Sequence, residues 1–109
     1  MATGEVEINL DGKVETLRSS LSAAKRVNSH GGFMHVINRL QAGDLEFYIM
    51  IVAAGLAKKA AEVEEAVFKT GLPSLSRDMV KYVNYLANGG KPYVTADDKP
   101  TTGEAPGEG

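Results

Sequence analysis

The stretch Gly43-Asp44-Leu45-Glu46-Phe47-Tyr48-Ile49-Met50-Ile51-Val52-Ala53-Ala54-Gly55-Leu56-Ala57 decides the fold. Asp44 stands where an N-cap belongs, with a carboxylate placed to accept the free amide hydrogens of the first turn. Leu45, Tyr48, Ile49, Val52 and Leu56 recur at i, i+3, i+4, i+7 and i+11 and so line one helical face. Phe47, Met50, Ile51 and Ala54 make the opposite side apolar as well. Between the cap and Ala57 only Glu46 and the Tyr48 hydroxyl are polar. A helix apolar nearly all round must be covered on several sides, by its own domain or by a partner. It is shorter than the about 20 apolar residues that cross a bilayer.

Towards the N-terminus, Glu5-Val-Glu-Ile-Asn-Leu10 alternates strictly, with Val6, Ile8 and Leu10 on one face. Asp11-Gly12 is a strong two-residue hairpin signal, and Lys13 to Ser19 reads as the return strand. Val14 and Leu17 have opposite parity, so a regular return strand cannot turn both to the core. A bulge near the turn, or a strand ending before Leu17, resolves the conflict. Ser19, Ser20 and Ser22 offer caps for a helix over roughly residues 20–30, with Leu21, Ala24 and Val27 or Asn28 on its apolar face. Gly31-Gly32 breaks it. Phe33, Val36, Ile37 and Leu40 then predict a second short helix, ended by Gly43.

Towards the C-terminus, Lys58-Lys59 suits a helix end. The helical period resumes through Val63, Ala66, Val67 and Thr70, leaving one bent helix or two across residues 44–70. Gly71-Leu-Pro73 is a stop, and Ser74 or Ser76 caps a last helix with Leu75, Met79, Tyr82, Val83 and Leu86 on one face. Asn88-Gly89-Gly90 closes it. We therefore expect an α+β domain over residues 1–90: a two-stranded β-hairpin packed on a bundle of about four helices. Residues 91–109, rich in Pro, Gly and Thr, have almost nothing to bury and read as a disordered acidic tail.

The length of 109 residues suits one domain, and 43% apolar residues are ordinary for a globular chain. No cysteine is present, so thiolate chemistry and a disulfide framework are excluded. No basic region followed by an apolar run opens the chain, and a soluble cytoplasmic protein is the expectation. The tail carries two lysines and four acids, which leaves residues 1–90 with ten charges of each sign. A neutral domain has no footprint for a phosphate backbone, which argues against nucleic acid as partner.

Candidate chemistry is sparse. His30 and His35 have no cysteine and no nearby acid to complete a metal-ligand set. No serine or carboxylate is placed for either imidazole to act with as acid or base. Gly31-Gly32 lacks the flanking strand and Lys-Ser/Thr of a phosphate loop. Glu62, Glu64 and Glu65 read as a solvated helix face, and Arg77 and Lys81 do not make a recognition helix. No catalytic residue, cofactor, metal or small-molecule substrate is expected. Phe47, Met50, Ile51 and Phe68 have two readings, as core or as the lining of an apolar groove for a partner helix. The geometry of the core helix extends the second reading to a surface of Phe47, Met50, Ile51 and Ala54, opposite the face that serves the domain's own core.

The order strand, Asp-Gly, strand, short helix, Gly31-Gly-Phe-Met-His-Val-Ile-Asn-Arg-Leu-Gln-Ala-Gly-Asp-Leu45 and Ile51-Val-Ala-Ala-Gly-Leu56 resembles the small tail proteins of gene transfer agents and related siphophages. Those proteins are encoded between tail tube and tape measure. The matching positions are Gly31, Gly32, Arg39, Leu40, Ala42, Gly43, Asp44, Ala54, Gly55 and Leu56, within a resemblance that covers roughly residues 5–89. It implies a role in tail morphogenesis. The favoured expectation is a non-enzymatic assembly chaperone that shields apolar helices of the tape measure protein, with self-association of the free form. A structural, tube-associated virion protein is the alternative, and a helical DNA-binding regulator a more distant one.

Overall fold

A computed structural model describes residues 4–92, which fold as an α+β unit: a two-stranded antiparallel sheet followed by five helices. The strands are β1 (Val6–Leu10) and β2 (Lys13–Leu17), and the helices are α1 (Leu21–Asn28), α2 (Phe33–Gln41), α3 (Leu45–Leu56), α4 (Ala60–Thr70) and α5 (Leu72–Ala87). The acidic tail expected over residues 91–109 lies, beyond Pro92, outside the described residues.

The hairpin closes on Asp11 and Gly12, both at positive φ (54° and 84°), as a two-residue turn matched to strand twist requires. The Asn9 side-chain oxygen accepts from the Gly12 amide at 2.9 Å, and Thr70 at the end of α4 accepts from the Asp11 amide at 2.6 Å. The register pairs Val6 with Leu17, Ile8 with Glu15 and Leu10 with Lys13. Neither a bulge nor an early strand end settles the parity conflict. The strand stays regular, Leu17 is fully buried, and Val14 takes the outer face at 64% exposure. A single exposed valine costs less than breaking the ladder.

In α1 the Ser20 hydroxyl caps the helix, accepting from the Ala23 amide at 3.0 Å. Ala23 and Val27 turn inward, whereas Leu21, expected on the apolar face, is 76% exposed because it opens the first turn on the outer side. In α2 Val36, Ile37 and Leu40 are buried, as the period predicts. The α5 helix buries all five residues assigned to it, but it starts at Leu72 and not at a serine cap. Gly71 ends α4, as the stop signal predicts, and Pro73 falls in the first turn of α5, where proline's fixed φ and missing donor are tolerated.

Residues 44–70 form two helices. Ala57 adopts the left-handed conformation (φ 56°, ψ 45°), and the Lys58 amide donates back to Ala53 O at 2.9 Å, a Schellman-type end to α3. The α4 helix restarts with the Glu62 carboxylate accepting from the Lys59 amide at 3.1 Å. Asp44 does not cap α3 through its side chain. Arg39 takes that carboxylate instead, with Nε and Nη2 3.0 and 2.8 Å from Oδ2.

The core forms around α3. Every residue from Tyr48 to Gly55 is buried, and α1, α2, α4, α5 and β2 all pack against this helix. One glycine sets the closest approach. A Cβ on Gly55 would lie 2.7 Å from Leu17 Cδ2 and 2.9 Å from Leu17 Cβ, so only glycine lets β2 come in this far. The approach is held by the Arg18 amide, which donates to Gly55 O at 3.0 Å. Tyr82 on α5 locks the same point, its hydroxyl donating to Arg18 O at 2.5 Å. Burial pushes that phenol up to about 12.

Candidate functional site

The four residues predicted to form a partner surface do not share one. Ile51 is fully buried, Ala54 is 6% exposed and Met50 8%. This corrects the expectation that the far side of α3 would lack cover. The reason is the division of residues 44–70 into two helices. The Schellman turn folds α4 back along α3, while α1 and α2 pack on other sides, so the domain has helices enough to cover both faces. Phe68, the fourth residue in the groove reading, is 70% exposed on the outer side of α4.

Phe47 and Met50 do come together, at the mouth of a cleft of about 280 Å³ between α1, α3 and the start of α4. Ile49 and Ala60 complete its apolar lining, and Arg26, His30 and Glu46 supply polar groups at its rim. Phe47, in the first turn of α3, is partly buried and held between two imidazoles. His30 lies edge-on at 5.9 Å between ring centroids, and His35 edge-on at 5.8 Å. Each such aromatic pair contributes on the order of 0.5–1.5 kcal/mol beyond area burial.

The Gly31-Gly32 turn is what seats this arrangement. Gly31 (φ 102°) would place a Cβ 2.7 Å from the His35 ring, so a side chain there would displace the imidazole from Phe47. Arg26 fixes the other wall: its Nη1 donates to Lys58 O at 2.9 Å and ties α1 to the α3–α4 link.

Arg26, His30, Glu46 and Ala60 were not assigned to a site by sequence reasoning. Phe47 marks the position of the cleft, but only the fold brings residue 26 beside residue 60. The two histidines serve as walls for an aromatic ring. Among the described residues no group of three or more His, Cys, Asp or Glu converges as a metal site. No helix among them is long and apolar enough to cross a membrane. At about 280 Å³ the cleft lies at the small end of the range of ligand sites, roughly 300–1,000 Å³. Its apolar floor and mixed-charge rim suit an inserted side chain from a partner.

No protein-family model matches the chain, and neither a curated protein nor a solved structure is detectably similar to it.

Proposed function

We propose that this chain is a non-enzymatic tail assembly chaperone of the phage or gene-transfer-agent type, acting in the host cytoplasm. Its client is an apolar helical segment of the tape measure protein. The resemblance of residues 5–89 to the small tail proteins motivates the class of function. The observation that carries the binding mode is the cleft over Phe47, Met50, Ile49 and Ala60, rimmed by Arg26, His30 and Glu46. A helix anchors in such a groove by one or two large apolar side chains, with polar contacts at the edge.

Ala60 is exposed and is the first residue of α4, where an acidic side chain suits the helix dipole. Ala60→Glu therefore narrows the cleft without touching the core. Co-expression with the tape measure protein tests the proposal. Wild-type chain is expected to co-purify with the client, and Ala60→Glu to lose it while keeping its circular dichroism and melting curve. Undiminished capture by the variant would refute the site.

A further inference from the structure

Among the described residues the amides of Glu7 and Asn9 on the outer edge of β1, and of Val14 and Thr16 on that of β2, have no hydrogen-bond partner, and of the two edges that of β2 is self-complementary in charge. In a two-residue hairpin the closing pair, Leu10 with Lys13, exchanges hydrogen bonds, and pairing then alternates along the strands. Val14 and Thr16 therefore direct their amide and carbonyl groups away from β1. Among the described residues neither has a hydrogen-bond partner for its amide. Arg18, next in that alternation, is closed by its bond to Gly55 O. The open amides are thus those of Val14 and Thr16, since the Gly12 amide is already held by the Asn9 side-chain oxygen. A cleft of about 490 Å³ lies alongside them, between β2 and the C-terminal turn of α3. The strand has no proline or bulge to blunt it.

We infer that two copies of the chain pair through this edge, β2 against β2 in antiparallel sense about a two-fold axis at Val14. Charge selects the occupant and the register. With Val14 opposite its symmetry mate, Lys13 of each copy falls opposite Glu15 of the other, giving two cross-strand ion pairs at non-hydrogen-bonded positions, where side chains are closest. Within one copy the same two residues make only a long contact of 3.6 Å, with Lys13 78% exposed. A register centred on Glu15 would oppose two carboxylates. One centred on Thr16 would set Val14 against Arg18, whose edge α3 already covers. The exposed Val14 side chains meet on the outer face and are withdrawn from water. The pairing is isologous, so it closes at a dimer of hairpins forming one four-stranded sheet.

A ladder this short buries less than the roughly 1,000 Å² of a standing interface, so the dimer is reversible. Sedimentation velocity on the full chain, from about ten micromolar to about one millimolar, covers the range such an interface needs. A concentration-dependent dimer is expected. Lys13→Glu, at an exposed position, should weaken it at least about tenfold by opposing carboxylates across both pairs. Lys13→Glu combined with Glu15→Lys should restore it. The chain has no cysteine, so Val14→Cys adds one thiol per copy. In the stated register the two α-carbons are about 5.5 Å apart, within disulfide range, and mild oxidation should cross-link the dimer. Thr16→Cys should not cross-link, because its mate lies four residues away along the ladder. A monomer throughout the range, a dimer indifferent to Lys13→Glu, or cross-linking at Thr16→Cys and not at Val14→Cys would each overturn the inference.

Discussion

Replacing Gly55 by alanine sets two local effects against each other. Alanine is better than glycine inside a helix by about 1 kcal/mol, so helix propensity alone predicts a more stable protein. The packing predicts the reverse. The added methyl would sit 2.7 and 2.9 Å from two Leu17 side-chain carbons and 3.2 Å from Leu17 Cα. Leu17 is fully buried and one of its contacts is backbone, so it cannot swing aside. The hairpin must back away from α3. Overpacking of this kind costs about 1–3 kcal/mol. The retreat also stretches the 3.0 Å bond from Arg18 to Gly55, worth about 1 kcal/mol. The helical gain roughly cancels that second loss, which leaves a net destabilisation of about 1–3 kcal/mol. For a domain of this size each kcal/mol moves the melting temperature by roughly 4–8 °C. Urea unfolding followed by circular dichroism measures the difference. A second variant, Leu17→Ala in the Gly55→Ala background, should lose less than the two single losses added, since the residues share one contact. A Gly55→Ala protein as stable as wild type, or more so, would refute the close approach.

Three further predictions concern caps and titration. Ser20→Ala should cost about 1 kcal/mol in urea unfolding, the usual value of a hydroxyl cap. Asp44→Ala should cost less, because its carboxylate pairs with a partly exposed Arg39 and does not cap α3. Tyr82 holds its proton to about 12 when folded, whereas in the unfolded chain a tyrosine loses it near 10. Above pH 10 the folded state thus binds the extra proton, so the stability due to this group is present below about pH 10 and lost between there and about 12. The difference between wild type and Tyr82→Phe in urea midpoints across that window should shrink as the pH rises.

The all-round apolarity of residues 45–56 made the burial of α3 legible, and the period of Leu75, Met79, Tyr82, Val83 and Leu86 made α5 equally so. Both rest on local spacing. What covers α3 could not be read, because cover depends on how many elements return to it, and that hung on the break at Ala57. No glycine or proline marks that break; a left-handed alanine makes it. Val14 and Leu17 stated their conflict openly in the sequence, but its outcome depended on Gly55, 38 positions from Leu17 and free of any side chain to obstruct it. Asp44 had the residue type of a cap, and Arg39, five residues back, took its carboxylate. The candidate cleft was half legible: Phe47 and Met50 by their helical position, Arg26, His30 and Ala60 only through tertiary contact.

The chaperone reading rests on a client helix entering the cleft over Phe47. Isotope-labelled chain titrated with an apolar helical peptide of the tape measure protein, followed by amide chemical shifts, tests it most directly. Saturable shifts are expected, concentrated at His30, Ala60 and residues 46–50, with the α5 amides unmoved. Absence of shifts with peptide at about one millimolar, or shifts centred elsewhere on the domain, would contradict it.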